Sequence, residues 1–176
     1  PPMQLQNELK RHRLGLSAGA LTLPDQASLR SASAHMAGQA TRELAIFSRD
    51  LDASLYDSQD FLEPLRQLAL QGGPRVPVRV LLFDPEPAVR SGHRLVELAR
   101  QHTSHVQIRG VPAEFSRHTE AYLLADDSGY ILRRLADVFE GNADYNAPAT
   151  VRRLREQFDH IWERGEALPE LRHLHL

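Results

Sequence analysis

The sequence predicts an α/β domain with three layers, αβα, around a mixed sheet of about five or more strands, and three observations predict it. Short apolar runs alternate with segments of helical apolar spacing, the order that puts helices on both faces of a sheet. Two of the runs are joined by Asp126-Asp127-Ser128-Gly129, a hairpin signal that adds an antiparallel pair to the crossovers. The 176-residue length suits one domain with a sizeable core, and 41% hydrophobic with 25% charged residues is a globular balance.

Met3 to Arg13 reads as a short amphipathic helix through Leu5 and Leu9, broken by Gly15 and Gly19. Pro24-Asp25 opens a second helix to about Gln39, through Leu29, Ala32 and Met36. Residues 1–39 are thus expected to form an N-terminal helical segment packing on an α/β domain of residues 40–176. Arg42 to Ser48 is the first strand, and its run Leu44-Ala45-Ile46-Phe47 suits a buried position. Ser58 caps a helix carrying Phe61, Leu62, Leu65, Leu68 and Ala69, which stops at Gly72-Gly73-Pro74. Val76 to Phe83 is the second strand. A helix from Pro85 or Pro87 to about Gln101 and a strand from Val106 to Val111 follow. Thr119 to Ala125 and Tyr130 to Leu135 are the hairpin strands. A polar stretch with Gly141 and Asn142 leads to Pro148, and the last helix carries Val151, Leu154, Phe158, Ile161 and Trp162.

Composition removes several chemistries. The formal net charge is −2, so no global field draws the chain to nucleic acid or an anionic membrane. Without cysteine there is no disulfide, thiolate metal site or thiol nucleophile. Lys10 is the only lysine, which leaves none in residues 11–176 for a phosphate clamp or Schiff base. No run is long and apolar enough to read as a signal peptide or membrane span, so a cytoplasmic, bacterial-type setting without membrane contact is expected. No phosphate-binding glycine loop is present, because Gly72-Gly73 ends a helix where such a loop would open one. No cofactor and no metal site is expected. The pairs His102/His105 and His173/His175 lack further ligands at metal spacing.

In order along the chain, IFSRDLD, VRVLLFD, VQIRGV, the segment Thr119 to Arg134 and the closing FDHIW resemble one half of a phospholipase D-type domain, over roughly Ala40 to Trp162. The resemblance implies that Thr119 to Arg134 occupies the place of the family motif H-x-K-x-x-x-x-D. There the His attacks phosphorus, the Lys holds phosphate oxygens and the Asp orients the His. Aligned on Asp126, the His and Lys positions hold Thr119 and Ala121; aligned on Asp127, they hold Glu120 and Tyr122. His118 lies one residue off the first register, and a one-residue slip on a strand reverses the face. The resemblance thus implies a degenerate member without catalytic residues, a pseudoenzyme. It implies a homodimer, because family halves pair across a two-fold-like interface. It also implies an acetyltransferase domain or protein as a partner, since regions of this appearance accompany such domains.

The densest polar clusters follow the strands, where open α/β sheets hold ligands. Arg49, Asp50 and Asp52 follow the first strand and Asp84 the second; they read either as a pocket or as turn and capping chemistry. Arg133 and Arg134 read either as forks for an anionic group or as a solvated strand edge. Three functions remain open. The first is a non-catalytic binding or interaction domain that recognises an anionic group through Arg49, Asp50, Asp52, Asp84, Arg133 and Arg134. The second is a divergent phosphodiesterase or nuclease with a rearranged site at His118, Glu120 and Tyr122. The third is a nucleic-acid-binding module, against which the net charge counts.

Overall fold

Alternation along the strands divides the core in two, one part on either face of a single sheet. The computed structural model of the chain describes residues 2–71 and 75–171. The elements run α1 (Pro2–Lys10), β1 (Leu21–Leu23), α2 (Gln26–Ala37), β2 (Leu44–Ser48), α3 (Ala53–Tyr56), α4 (Gln59–Leu70), β3 (Val78–Leu82), α5 (Glu86–Arg90), α6 (Arg94–Gln101), β4 (Val106–Gly110), β5 (Ala121–Ala125), β6 (Gly129–Arg133), β7 (Gly141–Asp144) and α7 (Pro148–Glu163). The sheet has seven strands in the order β1-β7-β6-β5-β2-β3-β4. The segment β2-β3-β4 is parallel and the other pairings are antiparallel. The predicted mixed sheet in a three-layer α/β arrangement is therefore what the chain builds.

One face buries Leu44, Ile46, Val78, Val80, Leu82, Leu123, Ala125 and Ile131 under the helices α1 to α6. The other buries Ala45, Phe47, Leu81, Tyr122, Leu124 and Tyr130 under α7 alone. Helix α7 supplies Val151, Leu154, Phe158, Ile161 and Trp162 at the predicted spacing. Phe158 and Trp162 stack at 5.9 Å, and strand arginines cover them: Arg79 lies 5.0 Å over Phe158 and Arg109 4.2 Å over Trp162. Arg155 of α7 ties the layers together by donating to the Asp126 carbonyl at 2.6 Å and pairing with Glu43. The free edge of β4 is partly covered, because Gly110 and Glu166 exchange backbone hydrogen bonds at 2.8 and 2.9 Å.

Several elements differ from expectation, each for a local reason. The helix predicted to reach Gln101 is two helices, α5 and α6. Gly92 at φ +68° turns the chain, and His93 restarts it by accepting from Leu95 N–H at 3.1 Å. The polar stretch at Gly141 is strand β7, held by backbone pairing to β6 and β1 although Ala143 is its only fully buried residue. Residues 1–39 contribute β1 to the sheet as well as α1 and α2. Strand β1 is only three residues long, too short for an alternation signal. The first helix stops at Lys10, short of Arg13. The predicted stop at Gly72-Gly73-Pro74 and the pair His173/His175 lie outside the described residues. Among the described residues, no helix is long and apolar enough to cross a membrane.

Gly141 is required where β7 meets β6. A Cβ there would run into the Leu132 carbonyl oxygen, a backbone atom that cannot swing aside. Gly141→Ala is expected to cost about 1–3 kcal/mol, read as a lower thermal midpoint.

Candidate functional site

One end of the sheet gathers the C-terminal ends of β2, β3 and β6 with the start of β5, and polar residues collect on both faces there. On the many-helix face, β2 ends in a tight turn. Ser48 Oγ accepts from Leu51 N–H at 3.0 Å, and Leu51 is buried at φ +62°. The turn delivers Asp50 half-buried and Asp52 at the head of α3. Arg133, at the end of β6, is only 3% exposed. Its guanidinium donates to Asp52 at 3.2 Å, to the Val138 carbonyl at 3.1 Å and to the Ala136 carbonyl at 2.6 Å, and it lies 5.1 Å over the Phe139 ring. Each guanidinium nitrogen therefore makes one inward bond, clamping the loop of residues 134–140 onto the β2 turn. Arg133, expected as a fork for an anion, makes these three hydrogen bonds within the protein.

Burial pushes the Asp50 carboxyl up, and the neighbouring Asp52 and Asp84 carboxylates push the same way, against the pull of Arg133. Burial likewise pushes the Tyr56 hydroxyl up to about 12. Asp84 itself is exposed and accepts from Glu86 N–H at 3.1 Å, the turn that an aspartate two residues upstream offers. Arg49 is exposed, with its guanidinium 4.9 Å over Phe83. The structure thus brings Asp50, Asp52 and Arg133 together, with Asp84 beside them. Arg134 goes elsewhere. It is exposed and lines a groove of about 600 Å³ with Leu132, Leu135, Val138, Glu140 and Asn142.

On the α7 face, His118 Nδ1 lies 2.9 Å from Glu120 Oε1. Gln157 of α7 donates to the same carboxylate oxygen at 2.7 Å, and Thr119 N–H donates to the other oxygen at 3.1 Å. Burial raises the Glu120 carboxyl, but the hydrogen bonds from Gln157, the backbone and His118 outweigh it and hold the group below the usual carboxylate range. Gln157 Nε2 also lies 2.8 Å from His118 Nδ1, so that nitrogen faces a carboxylate and an amide together, and the ring stands edge-on to Phe47 at 6.1 Å. Tyr122 is structural: it stacks on Phe47 at 5.0 Å and donates to the Leu154 carbonyl at 3.3 Å.

The two motif registers fall on opposite faces. Ala121 pairs with Arg133 and shares its face, whereas Tyr122 packs under α7. Asp126, at φ +50° and 8% exposed, accepts from the backbone N–H groups of Thr41, Arg42 and Glu43 at 3.0, 2.8 and 3.0 Å, and from the Thr41 hydroxyl at 3.2 Å. Asp127 is exposed and paired with Arg42 at 2.6 Å. Sequence reasoning missed Gln157 and the carbonyls of Ala136 and Val138. Backbone acceptors leave no mark in a sequence, and Gln157 has no spacing signature. Among the described residues, no group of three or more His, Asp or Glu is placed to hold a metal ion.

A family model described as a domain of unknown function (DUF7931) matches residues 25–174. No curated protein matches the sequence. Among solved structures, the chain is similar to TrmBL2, an archaeal chromatin protein described with a novel mode of DNA binding, at 13% identity and a TM-score of 0.64. That match covers 94% of this chain and 60% of TrmBL2, so the chain spans about three-fifths of that protein. It is similar to Nuc from Salmonella typhimurium, a phospholipase D family member, at 11% identity and a TM-score of 0.60, covering 85% of this chain and 96% of Nuc. It is also similar to NucT from Helicobacter pylori, at 9% identity and a TM-score of 0.57, covering 85% and 98%. At these identities the likeness establishes the fold, which is that of the phospholipase D family.

Proposed function

The chain belongs to the DUF7931 family, and we propose that it is a non-catalytic phospholipase D-like binding or interaction domain that presents Arg134 to an anionic group. One observation carries the reading. Beside Ala121, where the resemblance calls for a lysine, the buried cation Arg133 is bonded to Asp52 and two loop carbonyls. A group so held orders a loop, and at 3% exposure it is kept away from any phosphate oxygen in solution. Arg134, on the groove with Asn142, keeps its fork exposed. A homodimer and an acetyltransferase partner, implied by the resemblance, belong to the same proposal, as does the expected cytoplasmic setting.

A second reading rests on the His118–Glu120–Gln157 arrangement, in which a carboxylate and an amide meet Nδ1 of an imidazole; in the tautomer with Nδ1–H on Glu120, Nε2 would act as a nucleophile or base. Turnover of bis(p-nitrophenyl) phosphate separates the two. The expected result is no turnover above buffer. Turnover that disappears in His118→Ala would replace the first reading with the second. The anion site is read by NMR titration with inorganic pyrophosphate, where backbone shifts at Arg134 and Asn142 are expected in the parent chain and not in Arg134→Ala. Nucleic acid is the weaker candidate for the anion, because the net charge of −2 works against it. A steeply salt-dependent DNA titration would reverse that order.

A further inference from the structure

We propose that the N-terminal segment, α1 with the residues up to Gly19, is held by a pH-sensitive latch at His35 and Tyr145 that opens as the pH falls below neutral.

Tyr145 is fully buried just after β7 and is the pin of this latch. Its hydroxyl lies 2.6 Å from His35 Nδ1, and its carbonyl accepts from Gly15 N–H at 2.8 Å. Its ring meets the His12 ring at 5.4 Å and the His35 ring at 5.6 Å. Gln39, one helical turn beyond His35, closes the arrangement. Its Oε1 accepts from Leu14 N–H at 2.8 Å, and its Nε2 donates to the His12 carbonyl at 2.9 Å while lying 3.4 Å from His35 Nδ1. A hydroxyl and an amide N–H thus converge on one imidazole nitrogen. Only the neutral ring with a bare Nδ1 can accept from both.

Protonation places a hydrogen on that nitrogen. The Tyr145 oxygen can turn and accept it, but the Gln39 amide has no acceptor to offer from its nitrogen and must move. Gln39 is what binds Leu14 and His12 to α2. The charges acting on His35 sharpen the effect. They come from Arg13 and His12, both on the N-terminal segment, and both oppose a positive charge. Tyr145 brings its hydroxyl from the β7 side. Among the described residues no carboxylate bonds to His35. Glu8 contributes only its carbonyl, to His12 Nδ1 at 2.8 Å, and the Asp144 carboxylate receives the N–H groups of Gly19 and Asn146. Burial first, then Arg13 and His12, hold the His35 pKa below its ordinary value. Because the folded value is the depressed one, the latch contributes in full above the unfolded value of about 6.5 and is lost as the pH falls below it. Opening withdraws Leu14 from its place over Gly129 and Met36, uncovering an apolar spot at the start of β6.

Hydrogen exchange of the full chain, corrected for intrinsic rates, tests this. Between about pH 7.5 and about pH 5.5, protection of the Leu14 and Gly15 amides is expected to fall by several-fold, up to about tenfold, while Ile46 and Val80 hold. In His35→Gln, which keeps an acceptor and cannot titrate in this range, the fall is expected to vanish. Unchanged protection at the lower pH in the parent chain overturns the proposal, and so does an equal fall in His35→Gln. Should that variant not fold, NMR titration of His35 in the parent chain decides. Its midpoint must coincide with the loss of Leu14 protection, and a separation of more than about one pH unit overturns the latch.

Discussion

Asp126→Ala is expected to destabilise the chain by about 3–5 kcal/mol, through lost charge-assisted hydrogen bonds and the cost of left-handed backbone at alanine. The carboxylate closes the donors of three consecutive residues, Thr41 to Glu43, that lead into central strand β2. Removing it leaves those three N–H groups without their acceptor at a partly buried site. Asp126→Asn keeps one acceptor oxygen and tolerates the +50° φ, so it is expected to recover about half of the loss. Urea unfolding with the two variants side by side measures both. A cost for alanine below about 1 kcal/mol would show that water replaces the carboxylate, and the structural role assigned to Asp126 would be wrong. The result bears on the resemblance as well. The residue at the motif aspartate's place in one register organises backbone in this chain.

Arg133→Ala is the second large effect. It breaks a buried pair and frees the carbonyls of Ala136 and Val138, at an expected cost of about 3–5 kcal/mol. Arg133→Lys keeps the charge, but one ammonium cannot span Asp52 and both carbonyls, so most of the loss is expected to remain. Thermal unfolding reads the stability. Limited proteolysis reads the loop, where cleavage between residues 134 and 140 should become the first cut. Cleavage rates equal to the parent chain's would mean that the loop is held by its own contacts and not by the arginine.

Much of the fold was legible because its signals are periodic. Leu44 to Phe47 and the Val151 to Trp162 spacing announce a buried strand and an amphipathic helix whatever surrounds them. Strands β1 and β7 were not legible. Their pairing is carried by backbone groups, and three or four residues give too little alternation to register. The site was legible as a list of residue types near strand ends, and Asp50, Asp52 and Arg133 do meet there. Their use was not legible. Whether Arg133 faces a ligand or a loop depends on where the Ala136 and Val138 carbonyls fall, which no side-chain pattern records. Likewise His118 and Glu120 are two residues apart on paper, and only the arrival of Gln157 from α7 turns them into an oriented set.

The cover over β4 has a consequence for assembly. An open sheet invites foreign strands at its two ends, and this one blunts each end differently. At one, Glu166 occupies the backbone of Gly110. At the other, β1 presents only Leu21–Leu23, a template too brief to hold a stranger in register. Edge-to-edge growth into a continuous ribbon is thereby discouraged at the Gly110 end of β4 and along β1.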